Sequence, residues 1–282
     1  MESIEQSWRY DGRRAVVTGC ASGIGAAVAR QVRALGGTVI GLDVTENATG
    51  VDEFHRLDLA DPGSIDRAAA AVGDRVDTLF NIAGVSSGIG DPLRVVTINL
   101  LGTRRLTEAI TARMGAGATV ASVSSLAATG YLEHREQSDA LLETADMAEG
   151  IAWCRAHPEA LADGGYRLSK EALIHYTMRR TVPLGARGIR INCTAPGVTE
   201  TPILDQLRTA YGPGFLDGIG KPLGRVSTPG EQAAALVFLN SAAAGYITGQ
   251  VLWVDGGNLA ARLACESAIP AAAAATSVES EP

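Results

Sequence analysis

The chain has 282 residues, of which 46% are hydrophobic and 20% charged, which fits one large α/β domain, with two small domains as the competing interpretation. The net charge of −7, without a stripe of basic residues, argues against nucleic acid or an anionic membrane surface as partner. The N-terminus lacks a signal-type apolar segment, no apolar run is long enough for a membrane span, and the four cysteines form no CxxC pair, so we expect a reduced, cytoplasmic protein.

Short apolar runs alternate with helical patterns along the chain. The predicted strands cover roughly residues 14–18, 38–43, 78–82, 119–123, 189–194 and 250–254. The predicted helices cover roughly residues 24–35, 61–72, 99–113, 166–187 and 232–239, with Pro183 expected to kink the fourth or end it early. This alternation predicts a doubly wound parallel sheet with helices on both faces.

Two segments depart from the alternation. Residues 126–165 form a long stretch between a strand and a helix, and the spacing of Leu141, Leu142, Ala145 and Ala148 predicts that this insertion is itself helical. Residues 264–282 are rich in Ala, Ser, Glu and Pro, which is typical of a weakly ordered tail. We therefore expect a single folded domain over residues 1–263.

A glycine-rich loop joins the first strand to the first long helix. Gly19, Gly23 and Gly25 stand in the run TGCASGIG, where backbone N–H groups and a helix N-terminus can bind a pyrophosphate. Three glycines alone also fit an ordinary strand–helix turn. Asp43 ends the next strand, in place to bind an adenosine ribose and to repel a 2′-phosphate, which favours NAD over NADP.

The spacing TGxxxGIG resembles that of the short-chain dehydrogenase/reductase family. Further similar motifs follow in the family's order: Asn81-Ile82-Ala83-Gly84, Asn99 in INLLG, Ser124-Ser125, Tyr166-Arg167-Leu168-Ser169-Lys170, Pro196-Gly197 and Asp255-Gly256-Gly257. One departure is Ile82, where the family has a second Asn. The resemblance runs from residue 14 to about 257 and implies a Rossmann-type sheet of about seven strands.

Tyr166 and Lys170 are spaced i, i+4 and so share one face of the predicted helix. A free phenol has a pKa of about 10. A cation about 4 Å away contributes roughly 4 kcal/mol at an effective dielectric of about 20, which is about 3 pKa units. We therefore expect Lys170 to bring the phenol towards neutrality, although such a pair in isolation is common on exposed helices.

The resemblance implies the catalytic roles. Tyr166 is the general acid/base, and Lys170 lowers its pKa and binds the nicotinamide ribose. Ser125, rather than Ser124, binds the reacting oxygen, and Asn99 supports a proton-relay water. The alternatives are a helix-capping role for Asn99 and an ordinary strand-end hydroxyl for Ser125.

The resemblance also implies the contacts with NAD, and with no metal ligand among them. The expected cofactor-binding residues are Gly19, Ser22, Gly23, Ile24, Gly25, Asp43, Asp58, Leu59, Asn81, Ala83, Gly84, Tyr166, Lys170, Pro196, Gly197, Val198 and Thr199. Asp58 fits a simple turn acid equally well.

Tyr166 follows Ser125 by 41 positions, a longer interval than in most of the family. This resembles a subgroup that contains bacterial coniferyl alcohol dehydrogenase and 3α-hydroxysteroid dehydrogenase/carbonyl reductase. It implies alcohol–carbonyl chemistry on a bulky apolar substrate, such as an aryl-allylic alcohol or a hydroxysteroid. We expect the substrate wall to come from the insertion and from residues 198–220.

Two other functions remain open at this point: a same-fold isomerase or lyase, and a non-catalytic NAD-binding protein. An isomerase or lyase fits poorly because such relatives have a different glycine spacing. We also expect a homo-oligomer, either dimer or tetramer. Family tetramers usually pair the helices that contain Asn99 and Tyr166, and the insertion would cover that surface, which favours a dimer through another face.

Overall fold

The computed structural model describes residues 3–46 and 49–266, and these form a seven-stranded sheet. Its strands are β1 (Arg14–Thr18), β2 (Thr38–Asp43), β3 (Glu53–Arg56), β4 (Thr78–Asn81), β5 (Thr119–Val123), β6 (Arg190–Pro196) and β7 (Val251–Val254). All neighbours are parallel, in the order β3-β2-β1-β4-β5-β6-β7. The order reverses between β1 and β4, so the ligand crevice of this Rossmann-type fold is expected at their carboxyl ends.

Helices cover both faces of the sheet. They are α1 (Ile4–Trp8), α2 (Gly23–Ala34), α3 (Pro62–Ala71), α4 (Pro92–Val96), α5 (Thr103–Thr111), α6 (Arg135–Leu142), α7 (Met147–Ala156), α8 (Tyr166–Gly185), α9 (Pro202–Tyr211), α10 (Pro229–Asn240) and α11 (Asn258–Glu266). Val16 packs with residues of α3, α5 and α8, whereas Val17 packs with α2 and α10. Successive β1 side chains thus serve two separate cores. No helix in the described part of the chain is long and apolar enough to cross a membrane.

The structure corrects several predicted elements. The edge strand β3 was not predicted, since its sequence EFHR is only partly buried and carries no apolar run. The helix expected from residue 99 begins earlier, as α4, and passes through a π-helical segment, Thr97–Gly102, before α5. α8 continues through Pro183 and ends two residues later.

The insertion folds as two helices, α6 and α7, followed by a 3₁₀ turn at Pro158–Leu161. Asp146 separates the helices because its carboxylate caps α7 by accepting from Glu149 N at 2.9 Å. α6 packs on α8, and α7 packs on the π-helical segment Thr97–Gly102. Arg104 on α5 also donates to the Leu142 carbonyl oxygen at 3.3 Å, so the insertion covers α8 and the start of α5. The sequence predicted a tail from residue 264, but α11 continues to residue 266. The rest of the predicted tail, 267–282, lies outside the described residues.

Candidate active site

A cleft of about 1340 Å³ opens at the carboxyl ends of β1, β2, β4, β5 and β6. It brings together most of the residues expected from the sequence: Gly19, Ser22, Gly23, Ile24, Gly25, Asp43, Asp58, Leu59, Ala83, Gly84, Ser125, Tyr166, Lys170, Pro196, Gly197, Val198 and Thr199. Asn81 and Asn99 do not line it. No group of three His, Cys, Asp or Glu side chains suited to a metal ion occurs within residues 3–46 and 49–266.

The glycine loop forms one end of the cleft and fits a phosphate group. Gly19 has a φ of +71°, and a Cβ at Gly25 would overlap the Gly19 carbonyl oxygen, so the loop and α2 approach at backbone distance. Ser22 makes no side-chain hydrogen bond to the helix, and the first turn of α2 holds no acid. The N-terminal N–H groups of this helix therefore face the cleft with a positive dipole end.

Asp43 is held rigidly beside the glycine loop. One of its carboxylate oxygens accepts from Ala21 N and the other from Thr45 N, both at 2.9 Å. These bonds fix the carboxylate and leave lone pairs for ribose hydroxyls. Asp58 also lines the cleft, but one of its oxygens accepts from Ala60 N at 2.8 Å, as expected of a turn acid.

The Asn81 side chain lies behind the cleft lining, although its motif predicts a cofactor contact. Its side chain is buried and donates to Thr107 Oγ1 at 2.9 Å and to Ser122 Oγ at 3.2 Å, which joins β4 to α5 and β5. Thr18 positions the next two residues, Ile82 and Ala83, a role that the sequence alone did not indicate. The Thr18 hydroxyl accepts from the N–H groups of Ile82 and Ala83 at 2.8 and 3.0 Å.

Asn99 lies behind the cleft wall, within the π-helical segment. Its amide oxygen accepts from Val85 N, and its nitrogen donates to Val85 O, both at 2.9 Å. The side chain thus clamps the segment that contains Gly84, where a Cβ would lie 3.0 Å from Asn99 Oδ1. π-Helical turns frequently occur at functional sites. The helix-capping alternative is not what the structure shows.

Tyr166 is the first residue of α8, and two glycines place it there. Gly164 and Gly165 have φ values of +85° and +72°. A Cβ at Gly165 would overlap the Pro92 carbonyl oxygen, so the start of α8 packs directly against the start of α4. The half-buried phenol consequently faces the cleft rather than the protein surface.

The two serines after β5 have different partners. Ser124 is buried and donates to the Lys170 carbonyl oxygen at 2.8 Å. Ser125 lines the cleft together with Tyr166, and the proximity of its hydroxyl lowers the pKa of the phenol. This division favours Ser125 as the serine that meets a reacting oxygen.

The electrostatics differ from the sequence expectation. Burial raises the pKa of Tyr166, and the nearby Ser125 hydroxyl only opposes this rise. Burial also lowers the pKa of Lys170 to about 8. The Lys170 ammonium lies 5.6 Å from the centroid of the Tyr166 ring and donates to Val123 O at 2.9 Å. Desolvation of the phenol and the bond of the ammonium to a carbonyl oxygen both oppose the expected shift of the Tyr166 pKa towards neutrality, and this shift stays a prediction for the protein with the oxidised nicotinamide bound.

A buried ionic network supports α8 from the insertion. Glu171 is fully buried, and its carboxylate accepts from Arg167 at 2.6 Å and contacts His134 Nδ1 at 2.9 Å. Arg167 also donates to Asp163 at 2.6 Å. The i, i+4 spacing of Arg167 and Glu171 was the available sequence signal. The neighbour of Lys170, Glu171, is therefore held in place by His134 and Arg167. Together with the bond from Arg167 to Asp163, these contacts join both ends of the insertion to α8.

The substrate half of the cleft has an unexpected wall. Of the insertion, only Leu126 and Ala127 line it, and its helices do not form the expected wall, because they pack on α8 and on the π-helical segment before α5. Residues 198–220 do contribute to the wall, with Ile203, Leu204, Leu207, Leu216 and Ile219. Tyr211 does not line the cleft, and the Phe215 side chain is not among those that the structure describes. Two segments were missed: Ile89, Asp91, Arg94 and Ile98 around α4, and Asn258, Ala261 and Arg262 on α11.

Comparison with family models matches the chain in two parts. Residues 15–149 match a family described as NAD dependent epimerase/dehydratase family. Residues 151–258 match one described as Enoyl-(Acyl carrier protein) reductase. The first part holds the glycine loop and Asp43, and the second holds Tyr166 and Lys170.

Individual relatives match nearly the whole chain. A coniferyl-alcohol dehydrogenase of Pseudomonas sp. is 35% identical, over 87% of this chain and 96% of that protein. The 3-alpha-hydroxysteroid dehydrogenase/carbonyl reductase of Comamonas testosteroni is 30% identical, over 86% and 95%. The crystal structure of a 3-alpha-hydroxysteroid dehydrogenase from Pseudomonas sp. B-0831, complexed with NADH, is similar with a TM-score of 0.77 and 34% identity, over 89% of this chain and 98% of that one.

Proposed function

The chain belongs to the short-chain dehydrogenase/reductase family, and from this premise we propose that it is an NAD-dependent dehydrogenase of bulky, apolar alcohols. Family membership makes it an oxidoreductase that acts on alcohol or carbonyl groups with NAD or NADP. The choice of NAD, the substrate and the roles of the site residues are our proposal. The observation that carries it is the convergence of Tyr166, Ser125 and Lys170 beside the glycine loop in one cleft.

In the proposed reaction, Tyr166 takes the proton from the alcohol oxygen, or returns it during carbonyl reduction. Ser125 hydrogen-bonds the same oxygen and holds it against the phenol. With NAD bound, the hydride from the alcohol carbon would have an acceptor in the oxidised nicotinamide, whose positive charge would lower the pKa of the phenol. Lys170 binds the nicotinamide ribose, and Asn99 acts through Val85 to position the wall near Gly84.

Asp43 supports NAD as the cofactor. Its fixed carboxylate suits two ribose hydroxyls, whereas a 2′-phosphate would meet a like charge. Within the described cleft lining, the charged residues near the ends of β2 and β3 are Asp43 and Asp58, both acidic. We expect kcat/KM to be at least about tenfold higher with NAD than with NADP, since each tenfold preference needs only about 1.4 kcal/mol.

The apolar lining supports a bulky substrate. Ile89, Ile203, Leu207, Leu216 and Ile219 surround the substrate half. Two of the similar proteins are described as acting on coniferyl alcohol and on 3α-hydroxysteroids, both of which are large and mainly apolar. Each methylene buried contributes about 0.8 kcal/mol, so several extra carbons are worth roughly a hundredfold or more in kcat/KM.

The test is turnover of a panel of alcohols with NAD and with NADP, followed through the absorbance of the reduced nicotinamide. The panel contains coniferyl alcohol, a neutral 3α-hydroxysteroid, 1-propanol and cyclohexanol. The proposal expects the two large alcohols with NAD to give the highest kcat/KM. A preference for 1-propanol would contradict the substrate class, and no turnover with any alcohol would contradict the dehydrogenase assignment.

We also propose a homodimer that leaves the α5 and α8 surface out of the interface. The insertion already packs on these helices, and Arg179 on α8 binds Glu143 at 2.8 Å and Asp139 at 3.2 Å. The exposed apolar residues Tyr246 and Leu252 lie elsewhere, just before and within the edge strand β7. Sedimentation analysis that finds a tetramer, or only monomers at micromolar concentration, would contradict this assembly.

A further inference from the structure

Charge is unevenly distributed within the cleft of this acidic protein. At the nucleotide end, the lining holds Asp43 and Asp58. At the substrate end it holds Asp91, Arg94 and Arg262. Two cations therefore stand on a wall that is otherwise mainly apolar, in a chain with a net charge of −7. A local reversal of sign of this kind attracts an anion that the rest of the surface repels.

Helical spacing directs both arginines to the cleft. Asp91, at the N-cap of α4, is followed by Arg94 and Ile98 at i+3 and i+7, and all three line the cleft. On α11, Asn258, Ala261 and Arg262 stand at i, i+3 and i+4 and also line it. Because residues at these intervals share one helix face, the cleft-facing position of each arginine follows from the backbone.

Neither guanidinium is neutralised within the described part of the chain. Arg94 makes no side-chain hydrogen bond or ion pair there, and its neighbour Asp91 uses one oxygen to cap α4, accepting from Arg94 N at 2.9 Å. Arg262 makes one long contact, from Nη1 to Thr129 Oγ1 at 3.3 Å. Most of the donors of both arginines are therefore free for a ligand.

The arginines flank the reacting groups without touching them. Pro92, two residues before Arg94, packs against Gly165, which precedes Tyr166. Thr129, the partner of Arg262, ends the 3₁₀ turn that begins directly after Ser125. An alcohol bound at Tyr166 and Ser125 would therefore lie near two segments with an arginine: α4, which carries Arg94, and the 3₁₀ turn after Ser125, which Arg262 contacts through Thr129.

We propose that Arg94 and Arg262 bind a carboxylate of the substrate, so that the preferred alcohol has an apolar body and an acidic group remote from its hydroxyl. The inference rests on the proposed function and narrows its substrate class. Guanidinium groups suit this task because their planar donors match a carboxylate in a bidentate manner. Both side chains are exposed to the open cleft, so a carboxylate can reach them.

The experiment compares acids with their methyl esters, which retain nearly the same shape but lack the charge. The pairs are lithocholate with methyl lithocholate, and 4-(hydroxymethyl)cinnamate with its methyl ester, each assayed with NAD. We expect the acid to exceed its ester about tenfold in kcat/KM in at least one pair. Equal or better turnover of both esters would overturn the inference, as would failure of all four compounds under conditions where neutral alcohols react.

Substitutions then assign the preference to the two side chains. Arg94→Gln and Arg262→Gln are each expected to reduce the acid-to-ester ratio several-fold, and the double variant to abolish it. Arg155→Gln is the matched control, because Arg155 is also exposed on a helix but does not line the cleft. A preference that survives in the double variant would overturn the assignment.

Failure of the inference remains distinct from failure of the proposed function. If no alcohol is oxidised, the dehydrogenase assignment fails, whatever the charge of the substrate. Binding still decides the inference in that case, through quenching of the fluorescence of NADH bound to the protein. Acid binding no tighter than ester binding, or unaffected by the two substitutions, would contradict the role of the arginines.

Discussion

The two halves of the cleft are built in different ways. The nucleotide half depends on backbone approach over short stretches: Gly25 against Gly19, and the Asp43 carboxylate on Ala21 N. The substrate half is assembled from four segments far apart in the chain, around α4, after β5, along α9 and on α11. The first half tolerates almost no change in shape, whereas the second can change its side chains without altering the sheet. Cofactor use is thus tied to the fold, and substrate choice to exchangeable walls.

The largest effect is expected where backbone meets backbone. In Gly25→Ala, the new Cβ would overlap the Gly19 carbonyl oxygen, which cannot move without opening the glycine loop. We expect NADH binding to be lost and unfolding to become easier by about 2–3 kcal/mol, typical of overpacking. Gly185→Ala is the control, since a Cβ at this other helical glycine meets nothing within 4 Å. Near-normal NADH affinity in Gly25→Ala would contradict the backbone account.

The junction between the two halves is the next place to test. In Gly165→Ala, the φ of +72° and the overlap with Pro92 O would displace Tyr166. A misplacement of about 1 Å can cost roughly a hundredfold in rate, so we expect kcat to fall by about that factor while NADH affinity changes little. Gly73→Ala, with a φ of +77° and no neighbour within 4 Å, separates backbone strain from displacement. Equal kcat losses in the two variants would refute the positioning role of Gly165.

Burial of Lys170 is expected to cost stability. Its pKa is lowered to about 8 in the folded protein, from about 10.5. The cost is therefore fully present below pH 8, and stability recovers as the pH rises from about 8 to about 10.5, because the folded state then releases a proton that the unfolded chain retains. Lys170→Met is expected to be inactive but up to about 3 kcal/mol more stable at pH 7, an advantage that shrinks towards pH 10. Denaturant titrations at pH 7 and 10 measure this, and a less stable variant at pH 7 would contradict it.

A smaller effect is expected in the pH profiles of the two reaction directions. Because burial raises the pKa of Tyr166, the phenol is protonated at neutral pH unless a cation opposes this. Alcohol oxidation needs the phenolate, so its kcat/KM is expected to rise up to tenfold per pH unit above neutrality. Carbonyl reduction needs the phenol and is expected to fall at high pH. Two flat profiles from pH 6 to 10, with chemistry rate-limiting, would be inconsistent with an ionising tyrosine.

The sequence predicted best what depends on neighbouring residues. The glycine loop, the acid at the end of β2 and the Tyr166–Lys170 spacing are local patterns, and the structure places them in one cleft. The sequence was less informative about the side-chain contacts that depend on distant packing. Asn81 looks like a cofactor contact within its motif, but the buried hydroxyls of Thr107 and Ser122 take its donors.

The substrate wall shows the same limit. The insertion was expected to form it because it precedes Tyr166 in the chain, yet its helices pack on α8 and on the π-helical segment before α5. α11 was missed because its cleft-facing residues are small or charged rather than apolar. The electrostatic surroundings of Tyr166 show a related limit, since helical spacing places Lys170 on the right face but does not reveal its burial or its bond to Val123 O.

The most direct test of the whole account is Tyr166→Phe, measured for both turnover and NADH binding. Removal of the phenol hydroxyl is expected to lower kcat by about a thousandfold, within the range for general acid–base catalysis, while NADH affinity stays within about threefold. Tyr246→Phe, which removes a fully exposed hydroxyl, is expected to behave as the unaltered protein. A Tyr166→Phe enzyme with kcat within tenfold of the unaltered protein would contradict the central claim that this phenol is the acid/base.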